Sequence, residues 1–188
     1  LMAACNQGGA AGAAGSDEMS MGDAKAKVTV IEYASVTCPH CARFNDEVFP
    51  AFKTKYVDTG KVRYVFREFI TAPPQLAAIG FLLARCSGKD KYFATLDNVF
   101  RAQEEVYRTG DIKAPLLAVA AKAGLNEEQF MACVGDQKAV DALNARVEKW
   151  VNDAKIQVTP TFDINGKRYE GGQSLAALDA AIAAAGKK

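Results

Sequence analysis

The sequence predicts an α/β fold in which an all-helical module interrupts a small sheet domain. Three observations carry this reading. An apolar, β-branched run, Val28–Ala34, and an alternating run, Lys61–Phe69, enclose a helical stretch and so form a βαβ unit. About eighty residues with helical periodicity and no strand pattern follow it. A hairpin and a last helix then close the chain, giving βαβ, a block of helices, and ββα.

Lys27–Ala34 is nearly all apolar or β-branched, as expected of a strand buried on both faces of a sheet. Phe44, Val48 and Phe52 recur every four residues after it and mark a helix that Pro50 should break or kink. Asp58-Thr59-Gly60 is turn chemistry, and Val62, Tyr64 and Phe66 then alternate with Arg63 and Arg67. Beyond Ala72-Pro73-Pro74, a helix over Gln75–Cys86 stops at Gly88. A second, from about Asp90, places Tyr92, Phe93, Leu96 and Phe100 on one face. A third over Ile112–Ala123 ends at Gly124. Asn126-Glu127-Glu128-Gln129 has the pattern of a capping box, and Val140, Leu143, Val147 and Trp150 line a long helix. Asn165-Gly166 between Thr161–Ile164 and Lys167–Glu170 is a hairpin signal, and Ser174 can cap a final helix over Leu175–Ala185. The organisation is a tail (1–25), a βαβ segment (26–72), a helical insertion (73–153) and a ββα segment (154–188).

With 188 residues, 49% hydrophobic and 24% charged, the chain can bury one sizeable core. A net charge of +1 gives no electrostatic case for nucleic acid or an anionic membrane surface. No apolar run is long enough to span a bilayer. Leu1-Met2-Ala3-Ala4-Cys5 resembles the end of a bacterial lipoprotein signal peptide, which makes Cys5 an expected lipidation site. Asn6–Ser20 is mostly Gly, Ala and Ser and reads as a flexible tether, so export to the periplasm is expected. The plainer alternative is the remnant of an ordinary secretory signal. Cys86 and Cys133, on two predicted helices, are expected to form a structural disulfide in such a compartment; two buried free thiols are the alternative.

The chemistry concentrates in Cys38-Pro39-His40-Cys41, at the switch from the first strand to the first helix. Unpaired N–H groups and the positive dipole end there favour a thiolate, which makes the pair a redox-active site. Cys38, first in the ring, should be reachable by solvent, with Cys41 shielded one turn into the helix. His40, the only histidine, and Pro39 are expected to tune Cys38; an exposed turn histidine is the bland alternative. Val158-Thr159-Pro160-Thr161 enters the hairpin, and a cis bond before Pro160 would bring Thr159 against the sulfurs and leave its backbone for an extended substrate.

The element order, the CPHC ring, acidic Glu32 in the preceding strand, the helical insert and the Thr159-Pro160 pair together resemble the thioredoxin fold, and specifically the DsbA family of bacterial exported thiol:disulfide oxidoreductases. The resemblance spans about Ala26–Gly186. It implies a very acidic first cysteine and a buried acid, Glu32, that accepts the Cys41 proton. It also implies no cofactor beyond the Cys38–Cys41 disulfide, and a monomer that oxidises reduced exported proteins and is recharged by a DsbB-like, quinone-linked membrane oxidase. Thr before the proline also occurs in related isomerases, so a disulfide isomerase or reductase is the first alternative. A lipid-tethered binding module or chaperone is the second. A zinc site lacks a second ligand pair, and haem attachment would require His where Ala42 stands.

Overall fold

The computed structural model describes residues 17–187. Five strands form one sheet: β1 (Met19–Met21), β2 (Val28–Ala34), β3 (Val62–Glu68), β4 (Thr161–Ile164) and β5 (Lys167–Glu170). Their order is β1-β3-β2-β4-β5. β2 and β3 are parallel, and every other neighbouring pair is antiparallel. The two separated sheet segments meet where β2 pairs β4, with Val30 opposite Ile164 and Tyr33 opposite Thr161. That register sets the loop leaving β2 and the loop entering β4 at the same end of the sheet, and the cysteine ring lies there.

Helix α1 (Pro39–Glu47) gives way at Val48 to a short α2 (Phe49–Phe52) and a π-helical turn, Lys53–Val57. The break falls where the sequence predicts it: Pro50 has no N–H to donate four residues back, and its ring crowds that carbonyl. The insert comprises α3 (Pro74–Cys86), α4 (Tyr92–Thr109), α5 (Lys113–Ala123), α6 (Glu127–Val134) and α7 (Gln137–Ala154), and α8 (Leu175–Ala185) closes the chain. Gly124 ends α5 in the left-handed region at φ 86°, which costs a side-chain-bearing residue far more. Asn126 and Gln129 cap α6 reciprocally, at 2.8 and 2.9 Å. The Asn165-Gly166 turn has φ of 48° and 86°, the type I′ geometry that matches strand twist. Both Ala72–Pro73 and Thr159–Pro160 are cis. A disulfide joins Cys86 of α3 to Cys133 of α6, with Cα atoms 6.2 Å apart.

One expectation is corrected. The sequence assigns residues up to 25 to a flexible tail, yet Met19–Met21 is a strand antiparallel to β3, with Met19 opposite Phe66 and Met21 opposite Tyr64. It covers the edge that β3 would otherwise leave unpaired. Met19 is buried, and Glu18 pairs with Arg63 and Arg67 of β3 at 2.7 and 3.2 Å. Cys5 lies outside the described residues.

The last residue of β3 ties sheet to insert. Glu68, 1% exposed, accepts from Arg85 of α3 through both oxygens, from Arg146 Nε of α7 at 2.9 Å and from Tyr92 of α4 at 3.3 Å. Two guanidinium groups and a hydroxyl satisfy a carboxylate that would otherwise be costly to bury. Replacing Glu68 by Ala leaves both arginines short of their partner and should lower unfolding stability by about 3–5 kcal/mol in urea titrations. Asp46→Ala removes an exposed ion pair with Arg101 and should cost less than about 1 kcal/mol.

Candidate active site

The ring is built on a helix cap. Cys38 has extended backbone (φ −88°, ψ 118°) and occupies the N-cap of α1, with Pro39 at the first helical position, where a missing N–H costs nothing. The Cys41 N–H donates to Cys38 Sγ at 3.4 Å, and the Ala42 N–H to the Cys38 carbonyl at 3.0 Å. Both ring sulfurs are free thiols, so the structure shows the dithiol. Cys41 is fully buried. Cys38 is 7% exposed, less open than its place in the sequence suggests, because the Thr159 carbonyl lies 3.4 Å from its sulfur. Pro39 and His40 are exposed, whereas Pro160 is buried behind Thr159. The loops after β2 and before β4 thus bring Cys38, Cys41 and Thr159-Pro160 together.

This geometry separates the two thiols electrostatically. The Cys38 thiol is pulled from its ordinary 9.0 down to about 5, first by a hydrogen bond from the Cys41 thiol, against the opposing effect of burial. The Thr159 side chain and the backbone N–H groups of Cys41 and His40 add to the lowering. Burial pushes the Cys41 thiol the other way, helped by its bond to Cys38 and by the charges of Cys38 and Glu32. One sulfur is therefore an anion at neutral pH and its partner a proton donor to it. His40, expected to tune Cys38, lends its backbone N–H to that lowering.

Glu32 sits on the central strand, 3% exposed, and accepts from Tyr64 Oη at 2.5 Å. Burial raises its carboxyl from 4.5 to about 8, Tyr64 opposes that rise, and the Cys38 charge adds to it. At neutral pH Glu32 is a neutral acid whose charge, when present, acts on Cys41. Tyr64 was legible as a core residue of an alternating strand, but nothing in the sequence marked it as the partner of Glu32. Cys86 and Cys133 stand apart in the insert.

Two titrations follow from these shifts. Thiolate absorbance of the reduced protein should titrate with a midpoint near 5, and Cys41→Ala should raise that midpoint by removing the largest stabilising bond. For Glu32, an unfolded chain releases the proton near 4.5 and the folded one near 8, so the folded state loses stability as pH rises across that window. Glu32→Gln should therefore be close to wild type in stability below pH 4.5, and progressively more stable than wild type up to pH 8 in denaturant titrations of the reduced protein.

The family model described as Thioredoxin matches residues 15–184. Proteins assigned as protein-disulfide oxidoreductases are 35% identical in Rickettsia typhi, over 82% of this chain, and 34% in Rickettsia bellii, over 88%. The chain spans 57% and 63% of the length of these two relatives. The crystal structure of Wolbachia pipientis alpha-DsbA1 superposes with a TM-score of 0.83 at 30% identity, covering 92% of each chain. Oxidised BdbD from Bacillus subtilis shares the fold, with a TM-score of 0.75 at 21% identity over 91% of this chain and 94% of that one. Sequence, ring geometry and these likenesses agree: the chain belongs to the DsbA family of the thioredoxin fold.

Proposed function

We propose that the protein is a thiol:disulfide oxidoreductase that donates the Cys38–Cys41 disulfide to reduced protein substrates. The observation that carries this reading is the opposed ionisation of the two sulfurs, with Cys38 near 5 and Cys41 pushed far up. A substrate thiolate attacks Cys38 Sγ, the better exposed of the two sulfurs, and the Cys38–Cys41 bond breaks. The Cys41 sulfur, a poor leaving group as an anion, takes a proton from Glu32, a buried acid that is protonated at neutral pH and whose charge acts on Cys41. The second substrate thiolate then attacks its own partner's sulfur in the mixed disulfide and expels Cys38 as a stable thiolate. Two electrons pass from substrate to ring. Of the two substrate protons, one replaces the proton that Glu32 gave to Cys41 and one ends in solvent.

Direction follows from the same charge. A Cys38 value near 5 lies two units below pH 7 and stabilises the dithiol by up to about 2.7 kcal/mol, or about 60 mV. Screening where Cys38 opens to solvent reduces that figure. Thr159, whose carbonyl faces Cys38, and Pro160 behind it form the wall against which an extended substrate segment lies. The working compartment is oxidising and lies outside the cytoplasm, consistent with the Cys86–Cys133 bond in the insert. In this reading Cys5 anchors the chain to a periplasmic membrane surface, the enzyme works as a monomer, and a DsbB-like oxidase recharges the ring.

The oxidised protein should convert a dithiol peptide to its disulfide with one equivalent of ring reduced, and Cys38→Ala should abolish the reaction. Cys41→Ala, charged at Cys38 with glutathione as a mixed disulfide, should exchange glutathione for a single-thiol peptide and accumulate the peptide–Cys38 disulfide on gels. A protein that refolds scrambled ribonuclease well but oxidises the peptide poorly would instead be an isomerase, and one inert in both assays a binding module.

A further inference from the structure

The loop between β2 and α1, Ser35–Thr37, is held from two directions. On one side Thr37 Oγ1 meets Thr71 Oγ1 at 2.7 Å and Ser35 Oγ at 3.0 Å, and the Thr71 N–H reaches Ser35 Oγ at 3.3 Å. On the other, two residues one turn apart on α4 donate to successive carbonyls. Gln103 Nε2 bonds the Val36 carbonyl at 2.7 Å, and Tyr107 Oη bonds the Thr37 carbonyl at 2.7 Å. Val36 itself is wedged so tightly that a Cβ on Gly80 of α3 would fall 2.9 Å from its Cγ2 and 2.8 Å from Val99 Cγ1 of α4.

A bond to a carbonyl fixes the plane of its peptide, including the N–H of the next residue. The Thr37 carbonyl shares its plane with the Cys38 N–H, which donates to the Ser35 carbonyl at 3.1 Å. Tyr107 at one end of that plane and Ser35 at the other leave it no freedom to rotate, and Gln103 fixes the plane before it. Cys38 follows directly, with its sulfur at 3.4 Å from both the Cys41 N–H and the Thr159 carbonyl. At that distance from a sulfur, a small rotation of the preceding peptide decides whether the contact persists. Gln103 is buried, so the Val36 carbonyl has no solvent to turn to if the amide is removed, while Tyr107 is half-exposed on the rim and its charge state is coupled to Cys38.

We propose that Gln103 and Tyr107 are positioning residues for the nucleophile: α4 of the helical insert clamps the two peptides before Cys38 and so holds its sulfur in line with its stabilising donors. The insert is then part of the redox machinery, acting through the backbone and not by touching substrate sulfur. This rests on Cys38 being the reacting sulfur, as argued above.

The test uses the full chain, with Tyr107→Phe, which deletes only the hydroxyl, and Gln103→Met, which deletes the amide donor. Three readouts are compared with wild type: the midpoint of Cys38 thiolate absorbance, the equilibrium constant with glutathione, and the urea midpoint. The clamp predicts that Tyr107→Phe raises the thiolate midpoint by about 0.5–1 pH unit and shifts the glutathione equilibrium about 3- to 10-fold toward the disulfide form, with little change in urea. Gln103→Met should move the same two readouts in the same sense, whatever it does to the urea midpoint. Should Tyr107→Phe leave thiolate midpoint and glutathione equilibrium at wild-type values, the clamp is overturned, even if either variant unfolds more easily. Peptide oxidation by wild type and its loss in Cys38→Ala, run alongside, separate failure of the clamp from failure of the oxidoreductase reading.

Discussion

A thiolate held at the N-cap of α1 is the constraint around which the rest of the molecule is arranged. The Cys38 sulfur receives the Cys41 N–H at 3.4 Å and a hydrogen bond from the Cys41 thiol, both from within the first turn of the helix. Closing the Cys38–Cys41 bond removes the charge those donors stabilise. The dithiol is consequently favoured, which in the proposed reading drives the disulfide onto another chain. Burial alone would do the opposite, since it opposes ionisation of Cys38; directed donors outweigh it.

The sheet makes this arrangement possible over long sequence distances. Tyr33 and Thr161 are 128 positions apart in the chain and opposite each other in the β2–β4 register, which carries Thr159 to within contact of Cys38. Between β3 and β4 the chain leaves the sheet for the five helices α3–α7, and two bonded networks return it. Glu68 binds α3, α4 and α7 to the end of β3, while Gln103 and Tyr107 bind α4 to the loop after β2. Both networks attach the insert at the end of the sheet where the ring sits. Glu32, on the same central strand, is kept neutral at pH 7 by burial, against the opposing bond from Tyr64.

Much of this was legible before the structure. The helix break at Pro50, the left-handed stop at Gly124, the Asn126–Gln129 box and the Asn165-Gly166 turn are local chemistry, and local chemistry is written in adjacent residues. The ring was legible because its residue types and its strand-to-helix position coincide. β1 was not: Met19-Ser20-Met21 has neither β-branched residues nor length, and only the open edge of β3 makes it a strand. Glu68 carried no signal of its own, since its arginine partners stand 17 and 78 positions away with no pattern linking them. Gln103 did leave a trace, continuing the apolar stripe of Tyr92, Leu96 and Phe100 as a polar residue in a buried position. A stripe explains why such a residue is inside but not which carbonyl it meets.

The measurement that bears most directly on the thiolate is the reduction potential of the ring against pH. If Cys38 stays ionised above about 5, closing the ring releases only one proton per two electrons, and the potential falls by about 30 mV per pH unit from there to pH 8. Below that break the slope should steepen to about 59 mV per unit, as both sulfurs carry protons. A slope of about 59 mV per unit extending unbroken through pH 8 would mean that Cys38 is an ordinary thiol, and the account of why this ring gives its disulfide away would be wrong.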